Sequence, residues 1–431
     1  MLVASFGNLG GASAAGETSL GNAIAIQNAN TASLMAIDGV IGTAVGRGNG
    51  GGHVVLALTI DAGVRGIPAA VGGVIVHPYV TGEIFAQPRP GTGGGGVDRT
   101  SKFPRPVPIG VSTGHPDITA GTIGARLVDG AGNVYALSNN HVYADVNKGL
   151  LPDSSTNFDG DAVIQPGAID GGTSPADDIG NLVAFEPIIF GGTPNLVDAA
   201  IASTTVGQLG NSTPEGEGYG TPSSTIVDAV VGQSVTKYGR TTGSTDGKVD
   251  AVNANVNVNY GDDGIAFFTG QIVIKGKKGR VFSAGGDSGS LIVSNDGSNP
   301  VALLFAGSTQ TTIGSPIGEV LAAFSSFGVS IDGDTSSPPA PTPTPSPGGG
   351  EMTVESIFIS GIGGKNNDKD VRVKVQVNDT VTGKGVAGAT VDLSLLLGGN
   401  PAGSGSGTTG SDGSITFRLR NATSGTYTAS V

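Results

Sequence analysis

Short hydrophobic runs separated by glycine extend over most of the chain. Between Pro104 and Gly333 the runs are too short for helices and show almost no helical periodicity. Strands of this length and density predict a β-sandwich or β-barrel. The clearest predicted strands are 122–128, 133–137, 197–202, 249–258, 271–274, 290–293 and 301–306.

One helix is predicted to close this long β-rich segment. Ser315-Pro316 is typical of a helix start, and Gly328 can end the helix. Between them, the apolar residues fall on one side of a helix. These residues are Ile317, Val320, Leu321 and Phe324.

The two ends of the chain have different patterns. Leu20, Ala23 and Ile24 have helical spacing, which Gln27 interrupts, and the apolar segments 40–45, 53–60 and 70–76 follow. This order predicts an α+β module of one helix and a small sheet. Near the other end, valines alternate with polar residues from 371 to 377, and apolar residues alternate again at 415, 417 and 419. Both runs predict half-buried antiparallel strands, and Tyr427 is expected to anchor a corner of a small sandwich.

Two linkers divide the chain. The glycine-rich segment 89–103 is expected to be flexible, whereas alternating proline in 335–350 favours an extended spacer. The predicted domains are therefore 1–88, 104–334 and 351–431. The last domain ends within a strand pattern, so we expect it to be truncated.

Composition agrees with a multidomain β-rich protein. A chain of 431 residues exceeds what one core usually holds, and 76 glycines and 24 prolines without tryptophan favour tight turns. A net charge of −13, with scattered acidic residues, argues against nucleic acid as a partner. The absence of cysteine excludes disulfides, thiolate metal ligands and a cysteine nucleophile.

The sequence predicts neither a membrane span nor a metal site. It has no apolar run of about 18 residues. Its start lacks the basic and apolar regions of a signal peptide, so either export uses another route or the true beginning is missing. The paired aspartates at 159 and 161, 177 and 178, and 262 and 263 lack the spacing of a calcium loop, and we expect no metal and no cofactor.

The segment Gly286-Asp-Ser-Gly-Ser290 suggests acyl-transfer chemistry. Small residues on both sides of Ser288 allow a tight turn in which the N–H groups of Gly286 and Ser288 point to one spot beside the hydroxyl. Such a pair of donors forms an oxyanion hole. Ser288 is the candidate nucleophile.

A serine hydroxyl needs a base and a group that orients the base. Of the four histidines, His141 follows a strand-like run that would deliver its ring to the edge of a cleft. Asp198 lies in an apolar run, where a buried carboxylate must find a strong donor such as a histidine N–H. Asp228 has nearly the same neighbourhood, so either aspartate could serve.

Four short motifs in the central part of the sequence resemble those of a known family. The segment from Pro104 to Gly333 resembles the bacterial trypsin-like serine peptidases of the chymotrypsin fold. The resemblance rests on Leu-Ser-Asn-Asn-His ending at His141, Val-Asp-Ala-Ala around Asp198, Tyr-Gly-Arg-Thr-Thr-Gly at 238–243, and Gly-Gly-Asp-Ser-Gly-Ser around Ser288. The order His, Asp, Ser is also that of chymotrypsin. Ser290 departs from the commonest pattern, which has glycine there.

The resemblance implies a mainly β fold with a chymotrypsin-like double β-barrel and the triad in the cleft between the barrels. It prefers Asp198 to Asp228. It implies that Phe282 lies at the base of the pocket for the side chain before the cut, which favours an apolar or small residue. It also implies that Ala306, Gly307 and Ser308 form the strand edge that pairs with extended substrate. The C-terminal segment is similar to bacterial Ig-like domains.

These observations predict a secreted or cell-surface serine endopeptidase that acts on proteins or peptides. Its N-terminal α+β module would be a propeptide or an accessory domain, and its Ig-like β-sandwich would bind a cell-surface or polymer ligand. The alternative hypothesis is a non-catalytic surface or adhesion protein that retains a protease fold.

Overall fold

A computed structural model describes residues 18–48, 51–86, 97–334, 352–362, 370–379, 385–398, 400–410, 413–420, 422–423 and 427–431. The protein is mainly β, as predicted. The second predicted linker lies outside the described residues, as does the part of the first linker up to residue 96. Among the described residues, no helix has the length and apolar character needed to cross a membrane.

The first unit, residues 18–86, contains the predicted helix and strands. Helix α1 begins after Ser19, whose hydroxyl accepts a hydrogen bond from the Asn22 N–H at 3.3 Å. This cap satisfies one of the free N–H groups at the helix start. The elements are α1 (Leu20–Met35), β1 (Val40–Arg47), β2 (His53–Thr59), β3 (Ala70–Val71) and β4 (Val74–Val80).

The central segment, residues 97–334, consists mostly of short strands, together with two long strands, Gly243–Asn259 and Ile265–Gly276, and two short α-helices. The predicted helix after Pro316 is present and buries Ile317 and Val320. The elements are β5 (Ser112–Thr113), β6 (Gly121–Thr122), β7 (Ala125–Val128), β8 (Val134–Ser138), α2 (Asn140–Tyr143), β9 (Ala162–Ile164), β10 (Asp178–Phe185), β11 (Pro194–Asn195), β12 (Ala200–Thr204), β13 (Ser234–Gly239), β14 (Gly243–Asn259), β15 (Ile265–Gly276), β16 (Leu291–Ser294), β17 (Pro300–Gly307), β18 (Thr312–Pro316), α3 (Ile317–Ala323) and β19 (Ser330–Ile331).

The strands of the central segment form two main layers. One is a six-stranded sheet in the order β19-β7-β8-β12-β10-β9. In the other layer, the strand order is β15-β18-β17-β16-β13-β14, and the last strand, β14, also pairs with the first, β15. These six strands therefore form a closed ring, which we call the strand ring. Leu127, Leu137 and Ile201 of the six-stranded sheet pack with Leu291 and Leu303 of the ring in one core.

The first unit is not a separate module, because its strands continue the strand ring. Strand β1 pairs antiparallel with β14, placing Gly42 opposite Val256. A Cβ atom on Gly42 would lie 2.5 Å from the Asn255 carbonyl oxygen, so this close pairing needs glycine. The resulting eleven-stranded sheet runs from β11 through the ring to β3.

The C-terminal unit, residues 352–431, has two three-stranded antiparallel sheets. The alternating valines at 371–377 face a shared core, as their spacing predicts. The Tyr427 hydroxyl donates to the Thr423 carbonyl oxygen at 2.8 Å. Its strands are β20 (Met352–Ile362), β21 (Asp370–Asp379), β22 (Thr390–Leu397), β23 (Asn400–Thr408), β24 (Ser414–Leu419) and β25 (Tyr427–Ser430).

Candidate active site

Ser288 lies on a tight turn that leads into β16. Gly286 and Gly289 on either side have φ angles of 92° and 94°, which strongly favour glycine. Space gives a second reason for these glycines. A Cβ atom on Gly289 would lie 2.2 Å from both the Ser138 hydroxyl and the Thr122 carbonyl oxygen. The Gly-Asp-Ser-Gly sequence is therefore required by both backbone conformation and packing.

The turn is held from below by a buried ion pair. The Asp287 carboxylate accepts from the N–H groups of Thr241, Thr242 and Ala284 at 2.9 to 3.1 Å. The Lys237 ammonium lies 3.5 Å from the same carboxylate, and both side chains are fully buried. Burial lowers the pKa of Lys237, while the Asp287 charge opposes this shift. The Lys237 ammonium therefore lies against the serine turn.

His141 and Asp198 come together from two neighbouring strands of the six-stranded sheet. His141 lies in α2, just after β8, and Asp198 just precedes β12. Their side chains are fully buried, with Nδ1 of His141 2.5 Å from Oδ2 of Asp198. A carboxylate only accepts, so Nδ1 is the donor, and in the neutral ring Nε2 is then the unprotonated nitrogen.

Two further side chains fix this pair. The Tyr260 hydroxyl donates to Oδ2 of Asp198 at 2.8 Å, and the Asn139 amide donates to the Asp198 carbonyl oxygen at 2.7 Å. Burial and the Asp198 charge raise the pKa of Tyr260 well above its usual value, so its hydroxyl stays a donor. Neither residue was predicted from the sequence. Asn139 belongs to the motif around His141, but no local pattern marks Tyr260.

Gly121 and Thr122 lie between the serine turn and the residue that follows His141. The Thr122 N–H donates to the Ser288 carbonyl oxygen at 2.8 Å. A Cβ atom on Gly121 would lie 3.0 Å from that oxygen and 2.5 Å from the side chain of Val142, the residue after His141. Nε2 of His141 is buried and has no hydrogen-bond partner among the described residues.

The Ser288 hydroxyl forms a hydrogen bond with the first unit. It donates to the Ala86 carbonyl oxygen at 3.2 Å. The preceding residue, Phe85, exchanges two backbone hydrogen bonds with Gly307, each 3.0 Å long. Beside this contact is a cavity of about 20 Å³, lined by Phe85, Ala86, Ser283, Ala284, Ser288, Leu304, Ala306, Gly307 and Ser308.

The predicted substrate-binding residues lie in two places. Ala306, Gly307 and Ser308 line the cavity, whereas Phe282 does not and packs in the core with Val235, Val249 and Ile274. The two residues after Phe282, Ser283 and Ala284, reach the cavity instead.

The alternative candidates for the aspartate and the histidine lie outside this site. The Asp228 carboxylate is half exposed and pairs with Lys374 of the C-terminal unit. Of the other histidines, His115 lies 3.2 Å from Asp161, a separate pair. Asp161 and Asp177 belong to the aspartate pairs whose spacing in the sequence does not match a calcium loop. Their carboxylates contact His115 and Lys102 respectively.

Part of the central segment matches a protein family. The family of the Nal1 C-terminal domain matches residues 194–315, a range that includes Asp198 and Ser288. No curated protein sequence matches the chain.

Several solved serine proteases are similar to about half of the chain. A glutamic acid-specific serine protease, described as using a histidine triad in substrate binding, is 25% identical over 52% of this chain and all of its own, with a TM-score of 0.36. Thermobifida fusca protease A is 18% identical over 53% of this chain and all of its own, with a TM-score of 0.36. Cellulomonas bogoriensis chymotrypsin is 19% identical over 53% of this chain and 99% of its own, with a TM-score of 0.35.

Proposed function

We propose that this protein is a serine endopeptidase in which Ser288 is the nucleophile, His141 the general base and Asp198 the residue that orients the histidine. The observation that carries the proposal is the buried contact of 2.5 Å between Nδ1 of His141 and Oδ2 of Asp198. A histidine held in this way presents an unprotonated Nε2 to the cleft that contains the Ser288 turn. In this proposal the six-stranded sheet and the strand ring correspond to the two barrels of a chymotrypsin-like fold, and the C-terminal unit is an Ig-like sandwich.

The chemistry follows from these positions. His141 takes the proton from the Ser288 hydroxyl as its oxygen attacks a peptide carbonyl carbon, and then gives the proton to the leaving amine. The N–H groups of Gly286 and Ser288 are assigned to the negative oxygen of the intermediate. Water then cleaves the acyl-enzyme by the same route. Asp198 and Tyr260 stabilise the protonated ring of His141 and keep their own protonation states.

The cavity supports a preference for an apolar or small residue before the cut. Its lining includes Ala284, Leu304 and Ala306, and no charged side chain belongs to the described lining. A charged substrate side chain would lose its hydration there without a compensating partner. The proposed substrates are proteins or peptides, and the enzyme itself is proposed to act outside the cell or at its surface. The C-terminal unit is proposed to bind a cell-surface or polymer ligand.

Hydrolysis of a peptide library tests the proposal. The wild type and Ser290→Ala should both cut the library, whereas Ser288→Ala should not. Ser290 is a suitable control because its hydroxyl donates to the Asp287 carbonyl oxygen, at 2.6 Å, within the same turn. Equal cutting by the wild type and Ser288→Ala would overturn the assignment of the nucleophile.

A further inference from the structure

Residues 84–86 bridge the strand ring on both sides through backbone hydrogen bonds; we call them the covering segment. On one edge, Phe85 exchanges backbone hydrogen bonds with Gly307 at the end of β17. On the other edge, Asn259 at the end of β14 donates to the Ile84 carbonyl oxygen at 2.8 Å and accepts from the Ala86 N–H at 3.0 Å. Strand addition binds an extended peptide through main-chain hydrogen bonds to a sheet edge, and the covering segment makes such bonds on both sides.

The covering segment occupies the place assigned to substrate. Gly307 belongs to the strand edge that the sequence assigns to pairing with extended substrate, and its N–H and carbonyl groups are both used by Phe85. The adjoining cavity, of about 20 Å³, has room for about one water molecule. A peptide substrate therefore needs the covering segment to move away.

The same segment also accepts the hydrogen bond of the candidate nucleophile. The Ser288 hydroxyl donates its proton to the Ala86 carbonyl oxygen, and Nε2 of His141 has no partner among the described residues. A general base must be within hydrogen-bond reach of the proton that it takes. In this arrangement the Ser288 hydroxyl donates its proton to Ala86 and not to His141.

Contacts on both the core side and the solvent side hold the covering segment in place. Ile84 and Ala86 are completely buried in the core of the strand ring. Just before them, the Asn259 amide donates to the Glu83 carboxylate at 2.8 Å, and the Ser308 hydroxyl donates to the Thr81 carbonyl oxygen at 2.5 Å.

We propose that the covering segment is a built-in competitor of the substrate, which keeps the Ser288 site latent until an extended polypeptide displaces it. The proposal rests on the function proposed above. It also defines the substrate class: an extended chain that pairs with Gly307 and Asn259 and places a small residue where Ala86 is buried. A folded loop that exposes only one edge would not fit between the two strands.

The rate at which a fluorophosphonate probe labels Ser288 tests this proposal. Phe85→Pro removes the N–H that donates to Gly307, whereas Phe85→Leu loses the ring and keeps the N–H. We expect Phe85→Pro to be labelled at least about tenfold faster than Phe85→Leu, since it loses one backbone bond and the strand conformation around it. A synthetic peptide with the sequence of residues 81–86, but not a scrambled one, should slow the labelling of Phe85→Pro again.

A second variant guards against misfolding of Phe85→Pro. Glu83→Ala removes an exposed contact and should speed labelling about fivefold relative to the wild type, the effect of about one net hydrogen bond. If Phe85→Pro and Phe85→Leu react at one rate, and Glu83→Ala reacts like the wild type, the covering segment is no competitor and this inference is overturned. In that case Ser288 is still labelled, which leaves the proposed peptidase intact. Absence of labelling at Ser288 in every variant would instead reject the peptidase itself.

Discussion

The candidate site depends on a carboxylate that does not touch the nucleophile. Asp198 accepts from the ring N–H of His141, from the His141 backbone N–H and from the Tyr260 hydroxyl. These donors fix which ring nitrogen is protonated. A buried carboxylate with three donors is therefore a positioning group for the histidine.

Replacing Asp198 by asparagine should abolish most of the activity without unfolding the protein. The amide can present its own N–H to the ring, which favours the wrong tautomer, and a loss of about 10⁴-fold in kcat is expected. Asp228→Asn is the matched control, since this rival aspartate is half exposed and pairs with Lys374. Peptide hydrolysis by the two variants measures the effect. Similar losses in both would remove the special role of Asp198.

The lowered pKa of Lys237 predicts a decline of activity at alkaline pH. Burial lowers its pKa, so the ammonium loses its proton at a lower pH than an exposed lysine does. The ion pair with Asp287 below the Ser288 turn is then lost, and the oxyanion donors lose an anchor. The Lys237→Arg variant should keep its positive charge and show no decline of activity at alkaline pH. The measurement is hydrolysis against pH, each variant normalised to its own rate at pH 7.

The same shift has the opposite effect on stability. Between the lowered pKa of Lys237 in the folded protein and the ordinary value near 10.4 in the unfolded chain, the unfolded state binds more protons. The contribution of this group to the free energy of unfolding therefore rises with pH. An alkaline decline of activity that followed global unfolding would contradict the assignment to Lys237.

At the scale of elements, the serine turn needs its glycines for two separable reasons. Gly289→Ala and Gly192→Ala both put a side chain at a φ angle near 90°. Nothing lies within 4 Å of a Cβ on Gly192, whereas one on Gly289 would meet Ser138 and Thr122. Gly192→Ala should cost about 1 kcal/mol, and Gly289→Ala clearly more. Thermal unfolding of the two variants compares the costs; equal values would mean that packing adds nothing at Gly289.

Local elements were predictable because their patterns are local. The alternating valines predicted β21, and Ser315-Pro316 with the apolar stripe after it predicted α3. Pairing between distant strands has no such pattern. The sequence therefore gave no sign that β1 joins β14, that Tyr260 reaches Asp198, or that Ala86 lies against Ser288. The four motifs of the candidate site could be recognised because tight turns and buried polar side chains constrain neighbouring residues.

Across the whole molecule, Gln27 explains how the first unit is joined to the rest. It interrupts the apolar stripe of α1 because its buried amide donates to the Thr43 hydroxyl and to the Asn253 carbonyl oxygen, both at 2.9 Å. Its own oxygen accepts from the Asn253 amide at 2.7 Å. A polar residue on this face thus links the helix to β14 of the strand ring.

Gln27→Leu should lower the stability of the first unit and the strand ring together. The change removes the hydrogen bonds that the Gln27 amide makes with Thr43 and Asn253, at about 0.5–1.5 kcal/mol each. Asn30→Ala is the control, because Asn30 donates within its own helix, to the Ile26 carbonyl oxygen. Urea unfolding followed by tyrosine fluorescence should show one transition at lower urea for Gln27→Leu. A separate early transition would mean that the first unit unfolds alone.

The central claim is that Ser288 is the activated nucleophile of a His141–Asp198 pair. Mass-spectrometric mapping of the adduct after exhaustive fluorophosphonate treatment tests it most directly. We predict one phosphonyl group per chain, on Ser288, with labelling strongly reduced in His141→Ala. An adduct on another residue, or equal labelling of the wild type and His141→Ala, would contradict the claim.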